Sequence, residues 1–173
     1  VLARIPRAKL AFSPLDPGAR ESYLRLTAAA GIGGDRLLFL PQGRNDAENQ
    51  ARYEVVDFAL DPMPYGGANG TLEALDMAVP VVTLCGRRHG ERSTYSILAN
   101  LGVTQTVAAS GPQYVDLAAR LAEDAAFAAE VKAAIRAGLA RSPLTDMPRH
   151  TRALEAAYEA ALAQKRPDVL AAV

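Results

Sequence analysis

Four short apolar runs, residues 9–12 (KLAF), 37–40 (LLFL), 57–60 (DFAL) and 80–84 (PVVTL), alternate with segments whose apolar residues recur at helical spacing. No other feature constrains the fold as strongly. A strand, a helix and a second strand close compactly as a parallel pair with a right-handed crossover. The expected fold class is therefore α/β, a Rossmann-like parallel sheet with helices on both faces. The run LLFL lacks polar alternation, the pattern of a strand covered on both sides.

In chain order, residues 1–5 read as a helix end stopped by Pro6, and Ser13 and Pro14 bound the first strand. Asp16 and Pro17 read as a cap for a helix over residues 19–32, which Gly31, Gly33 and Gly34 end. The polar turn Pro41-Gln42-Gly43-Arg44-Asn45 precedes a short helix over 46–55, and a Gly-rich turn precedes a helix over 71–77. A helix over 91–101 closed by Gly102 leads to a last strand over 104–108. Beyond it the chain reads as helical over 113–141, with a break near Asp124, and again over 149–164, giving a helical C-terminus. Tyr114, Leu117, Leu121 and Phe127 form a core stripe, His150 beside Pro148 reads as a linker residue, and residues 166–173 read as a frayed tail.

With 173 residues the chain suits a single domain spanning 1–173. Lys plus Arg and Asp plus Glu number 19 each and are dispersed, so no basic footprint for nucleic acid exists. No apolar stretch approaches the roughly 20 residues that span a bilayer, so no membrane partner is expected. The single cysteine, Cys85, reads as a small buried apolar side chain and suits a reducing, cytoplasmic setting. No metal-ligand spacing appears. The opening VLARIP resembles the end of a helix already under way, as in a fragment of a longer protein.

Gly66, Gly67 and Gly70 bracket the turn, with Ala68, Asn69 and Thr71 among them, that feeds the helix start. Unpaired N–H groups and the helix dipole there favour an anion such as a diphosphate, although a glycine cluster also serves a tight turn alone. Glu73, read as lying in the first turn of that helix, could accept ribose hydroxyls or simply complement the dipole. Gln42 and Arg44 belong to a turn at the carboxyl edge of the sheet, where Arg44 could neutralise a phosphate or remain a solvated arginine. Arg87, Arg88, His89, Glu91 and Arg92 crowd the loop after PVVTL, a cationic cluster beside the proposed diphosphate or a solvated surface.

Taken together, RYEVVDFALDPMPYGG, EALDMAVPVVTLCG, ASGPQYVDLAARLAED and SPLTDMPRHTRALEAAYEAAL resemble the C-terminal half of the glycosyltransferase family 41 catalytic region. That family contains the O-GlcNAc transferases, the SPINDLY-like proteins and the bacterial adhesin N-glucosyltransferases. The resemblance implies the C-terminal, nucleotide-binding lobe of a GT-B fold, a UDP-sugar donor, an acceptor protein and no metal or other cofactor. It places the diphosphate on residues 66–71 and the ribose on Glu73. Asn49 stands where the family often has a histidine packing on uracil, and Arg44 is the nearest basic substitute for a diphosphate-contacting lysine. Gly86 and Arg92 match the family's glycine and arginine after the apolar strand. Ala68-Asn69-Gly70-Thr71 departs from the glycine and threonines of the O-GlcNAc branch, and its Asn-Gly pair is similar to the N-glucosyltransferase branch.

The resemblance further implies that the catalytic base and acceptor groove lie largely in the other lobe, outside these residues. Transfer of GlcNAc or glucose to protein side chains with inversion is the leading expectation. A sugar-nucleotide epimerase of the same fold and a degenerate lobe acting as an interaction module, docking through residues 149–164, are the alternatives. An apolar patch left bare by a missing lobe would let the piece form a homodimer.

Overall fold

The computed structural model describes residues 1–13 and 18–165. The expected cap at Asp16 and Pro17 and the tail over 166–173 lie outside the described residues. Strands β1 (Leu10–Phe12), β2 (Leu37–Phe39), β3 (Ala59–Leu60), β4 (Val81–Leu84) and β5 (Val107–Ala108) alternate with helices α1 (Ala19–Ala29), α2 (Asp46–Ala51), α3 (Asn69–Asp76) and α4 (Ser93–Leu101). Three helices follow, α5 (Gly111–Glu123), α6 (Ala125–Leu139) and α7 (Met147–Lys165). Every strand pairing is parallel, as the βα alternation requires.

The strands form two sheets instead of the one expected: β1 pairs with β2, and β3, β4 and β5 pair in that order. The expectation that β2 is covered on both faces also fails. Leu38 is 39% exposed because its side of the strand borders the opening between the two sheets. The apolar sequence of β2 thus describes a surface that this chain alone leaves partly open.

The core belongs to the second sheet and its helices. Leu75 of α3, Val82 of β4, Leu98 of α4, and Val131 and Ile135 of α6 are fully buried, and each such side chain contributes roughly 1.5–3 kcal/mol. Tyr114, Leu121 and Phe127 join them as the helical spacing predicts, with Leu117 packed at the margin. Gly102 takes φ +77° at the end of α4, and Asp124 ends α5 and caps α6 by accepting the Phe127 N–H at 2.9 Å. His150 is no linker residue. Pro148 sits in the first turn of α7, where its missing N–H costs nothing, and the His150 N–H bonds to the Asp146 carbonyl.

The first sheet is held more thinly. Phe12 stacks between Tyr23 and Phe39, with ring centroids 4.3 and 5.6 Å away. The Arg36 guanidinium donates to the carbonyls of Leu2, Ile5 and Ala8, tying the entry turn to β2. No residue of α1 is buried.

Gly138 near the end of α6 packs against the end of α4, so closely that a Cβ there would collide with the Leu101 carbonyl. Alanine in an open helix is better than glycine by about 1 kcal/mol. Gly138→Ala is nevertheless expected to destabilise by about 1–3 kcal/mol, because a backbone carbonyl cannot move aside; a raised urea midpoint would contradict this packing.

Candidate functional site

The carboxyl ends of β3 and β4 converge on one buried carboxylate. Asp61, 6% exposed at the end of β3, accepts the Gly67 N–H at 2.7 Å and the buried Thr83 hydroxyl of β4 at 2.6 Å. Its backbone carbonyl accepts the Tyr114 hydroxyl of α5 at 3.0 Å. Burial, and secondarily the Asp61 charge, push the Tyr114 phenol well above its ordinary pKa, so it stays a donor. The Gly67 carbonyl in turn accepts the hydroxyls of Thr71 and Thr94, each at 2.8 Å. The Gly66 N–H bonds to the Gly90 carbonyl at 3.0 Å, joining this turn to the loop after β4.

This geometry corrects the expectation for the glycine turn. The N–H groups of Gly66 and Gly67 are consumed inside the protein and cannot both hold that geometry and bind an anion. A Cβ on Gly66 would stand 3.1 Å from an Asp61 oxygen, and one on Gly67 would stand 3.2 Å from the Thr71 hydroxyl, so these glycines serve close packing. Helix α3 begins at Asn69, two residues earlier than expected, which puts Asn69 and Gly70 in its first turn. Ala68, at the N-cap, offers no side-chain acceptor. The N–H groups of Ala68, Asn69, Gly70 and Thr71 therefore point out of the helix start without a protein acceptor among the described residues. The Thr71 hydroxyl is buried and already used.

Because α3 starts earlier, Glu73 lies in its second turn, not its first. One of its oxygens, Oε2, pairs with the Arg52 guanidinium at 2.5 Å and contacts the Tyr53 hydroxyl at 3.2 Å. That hydroxyl also reaches the Gly70 carbonyl at 3.1 Å, and burial raises its pKa. Glu73 thus faces the helix start with one oxygen engaged and Oε1 uncommitted.

Gln42 and Arg44 sit in the loop after β2, and Asn49 in the helix α2 that follows it. Arg44 is exposed and forms a two-pronged pair with Glu48, N to O at 2.7 Å, which raises its pKa and lowers that of Glu48. Asn49 Oδ1 accepts the Gly43 N–H at 2.8 Å, holding the loop closed. Gln42 is exposed and makes no side-chain hydrogen bond among the described residues. Helix α2 is anchored to α3 through Gln50, which donates to Asp76 at 2.6 Å.

In the loop after β4, the Glu91 carboxylate accepts the N–H groups of Arg87 and Arg88 at 2.9 and 3.1 Å. The bond from Arg88, then that from Arg87, holds its carboxyl below the usual glutamate range. Arg87, Arg88, His89 and Arg92 are all exposed, with the Arg92 guanidinium 5.7 Å from the Tyr95 ring centre. The Gly66–Gly90 bond places this cationic loop beside the glycine turn, as the sequence order suggests. Cys85 is half-buried, not buried as expected, since it lies just past the strand at the start of the loop.

The family model of glycosyl transferase family 41 matches residues 1–154. The chain belongs to glycosyltransferase family 41. A probable UDP-N-acetylglucosamine–peptide N-acetylglucosaminyltransferase SPINDLY of Oryza sativa subsp. japonica is 35% identical over 139 residues, 80% of this chain and 15% of that protein. The corresponding SPINDLY protein of Petunia hybrida is 30% identical over 161 residues, 91% of this chain and 17% of its own length. Among solved structures, a mutant O-GlcNAc transferase of Thermobaculum terrenum superposes with a TM-score of 0.82 at 34% identity, over 91% of this chain and 31% of that one. The family 41 chain thus spans less than a third of each of these relatives, and its GT-B architecture follows from the last match.

The sequence reading gave Asp61, Thr83, Thr94 and Arg52 no role, and Tyr114 only a place in the core stripe. Thr83 was the signal within reach, a lone polar residue inside an apolar strand. A buried hydroxyl there needs a partner, and the aspartate ending the neighbouring strand is the nearest that topology supplies.

The order of the loop after β4 should depend on pH. Glu91 has a folded pKa below its unfolded one, so its contribution is present above the ordinary glutamate value and is lost as pH falls through the depressed folded value. NMR titration should show the Arg87 and Arg88 amide shifts moving together at that depressed value. In Glu91→Gln the shared step should vanish, and its persistence would assign it to another group.

Proposed function

We propose that this chain is the donor-binding lobe of a UDP-sugar-dependent protein glycosyltransferase, transferring GlcNAc to acceptor side chains. The observation that carries the proposal is the set of four outward N–H groups from Ala68 to Thr71 at an uncapped helix start, aimed by the Asp61 clamp. Such a helix end carries about half a positive charge and suits the diphosphate of a nucleotide sugar. Family membership supports the reaction class, and the names of the rice and petunia relatives support GlcNAc as the sugar.

Glu73 Oε1 would receive the ribose hydroxyls, with Arg52 and Tyr53 fixing the carboxylate. In the reaction, an acceptor oxygen bonds to the anomeric carbon from the face opposite UDP. The bond from that carbon to the β-phosphate oxygen breaks, and UDP leaves with the electron pair. The acceptor proton passes to a base outside these residues. Charge developing on the departing diphosphate is met by the helix start and by Arg92, both in place before the reaction begins. Arg44, committed to Glu48, would act only after exchanging that partner.

Calorimetric titration tests the reading. UDP is expected to bind more tightly than UMP, the difference reporting the β-phosphate on the helix start. Asp61→Asn replaces one accepting oxygen with an amide nitrogen, leaving Gly67 N–H or the Thr83 hydroxyl unpaired, a cost of about 1–3 kcal/mol. It should weaken UDP binding about tenfold while UMP binding changes less. Equal affinity for UDP and UMP would remove the diphosphate from this turn. With the longer protein and an acceptor, faster transfer from UDP-glucose than from UDP-GlcNAc would overturn the choice of sugar.

A further inference from the structure

The loop after β4 concentrates positive charge on a chain that is otherwise balanced at 19 basic and 19 acidic residues. Arg87, Arg88 and Arg92, with His89 among them, share this short loop with a single carboxylate, Glu91. Glu91 offsets one charge, but it bonds backbone and not guanidinium. Its Oε2 accepts the N–H groups of Arg87 and Arg88, and its Oε1 stands 3.9 Å from the Arg88 Nε, beyond hydrogen-bond reach. The Arg88 side chain is 84% exposed. Arg87 and Arg92 pair with no carboxylate among the described residues. The loop is therefore fixed by its own acid while its guanidiniums face water.

An exposed aromatic stands beside them. Tyr65 is 75% exposed, yet its ring is held in place: a Cβ on Gly90 would lie 3.4 Å from Tyr65 Cδ1, so the ring rests on the Gly90 backbone. The bond from the Gly66 N–H to the Gly90 carbonyl ties the same two segments together. A solvated charge cluster needs no such neighbour. Tyr and Arg together are the residue types enriched at the few positions that carry most of the energy in protein interfaces. Tyr also supplies contact area at little cost in conformational entropy.

Position selects the partner. If the donor diphosphate lies on the start of α3, its sugar is approached past the loops after β3 and β4, which carry Tyr65 and the arginines. The helix start and Arg92 meet the charge of the diphosphate, leaving Arg87 and Arg88 in surplus. We propose that Tyr65, Arg87 and Arg88 form a docking surface for an acidic segment of the acceptor protein, with Asp and Glu side chains close to the residue that is modified. The proposal rests on the transferase reading for the acceptor, whereas the docking itself is a matter of charge and contact. Nucleic acid fits less well, because the basic residues outside this loop are dispersed and give a phosphate chain no track to follow.

Fluorescence anisotropy on the full-length protein, without donor, tests it. The probe is a labelled peptide with one Ser among Asp and Glu residues, and its control carries Asn and Gln in their places. The acidic peptide is expected to bind about tenfold more tightly at low salt. Added salt should erode that preference, since exposed charges are screened beyond roughly 8 Å at physiological ionic strength. Arg87→Gln with Arg88→Gln keeps both backbone bonds to Glu91 and should abolish the preference with UDP affinity unchanged. Tyr65→Ala should weaken both peptides several-fold. Equal binding of the two peptides would refute the docking surface, as would a preference that survives the arginine substitutions. Weaker UDP binding in the arginine variant would return those residues to the donor site, and a labelled oligothymidylate that binds as tightly as the acidic peptide would replace the proposal with nucleic acid. Acidic-peptide binding lost on arginine substitution, in a protein that transfers from no UDP-sugar, would uphold the docking surface and remove the transferase reading instead.

Discussion

A carboxylate taken out of water is stable only if donors replace its hydration, and Asp61 is buried where β3, β4 and the glycine turn each come within reach. The charge therefore acts as a demand on its surroundings. It fixes the Gly67 N–H and the Thr83 hydroxyl, while the adjoining carbonyl fixes Tyr114 of α5. Truncating any partner leaves a buried group unsatisfied, which couples sheet, turn and helix. With Gly67 held, its carbonyl is placed for Thr71 and Thr94, and the start of α3 follows.

The same device recurs along the carboxyl edge of the strands. After β2, Asn49 accepts the Gly43 N–H; after β3, Asp61 accepts that of Gly67; after β4, Glu91 accepts those of Arg87 and Arg88; after β5, Gln113 accepts that of Ala109. Each loop is closed by a side-chain oxygen that satisfies backbone donors no ladder can reach. Loops so closed hold their shape without a ligand. That suits the site proposed above, a fixed array of N–H groups and cationic side chains, since dipoles already oriented need not reorganise during reaction.

Stability is distributed unevenly around this edge. The three-stranded sheet and α3 to α6 enclose the fully buried side chains, whereas β1, β2 and α1 rely on an aromatic stack and the Arg36 bonds. The two parts meet across a slot bordered by unpaired edges. Parallel sheets are normally covered on both faces and joined strand to strand, and the apolar character of LLFL is that of such a sheet. Its exposed Leu38 marks cover that these residues do not themselves provide.

The alternation of apolar runs and helical spacing determined the element order from β1 onward, the parallel pairing and the break at Asp124, because those depend on periodicity and local caps, whereas the helix end expected at residues 1–5 is a run of turns. Motif content likewise determined the family. Site chemistry was legible only as residue types in the right loops. Tertiary structure decided which of their atoms are spent: the N–H groups of Gly66 and Gly67 are engaged by Gly90 and Asp61, and one oxygen of Glu73 by Arg52. It also decided that α3 starts at Asn69 and that the sheet divides between β1 and β3. Spacing along a chain records which faces are apolar, whereas hydrogen-bond saturation and edge pairing depend on what else arrives in space.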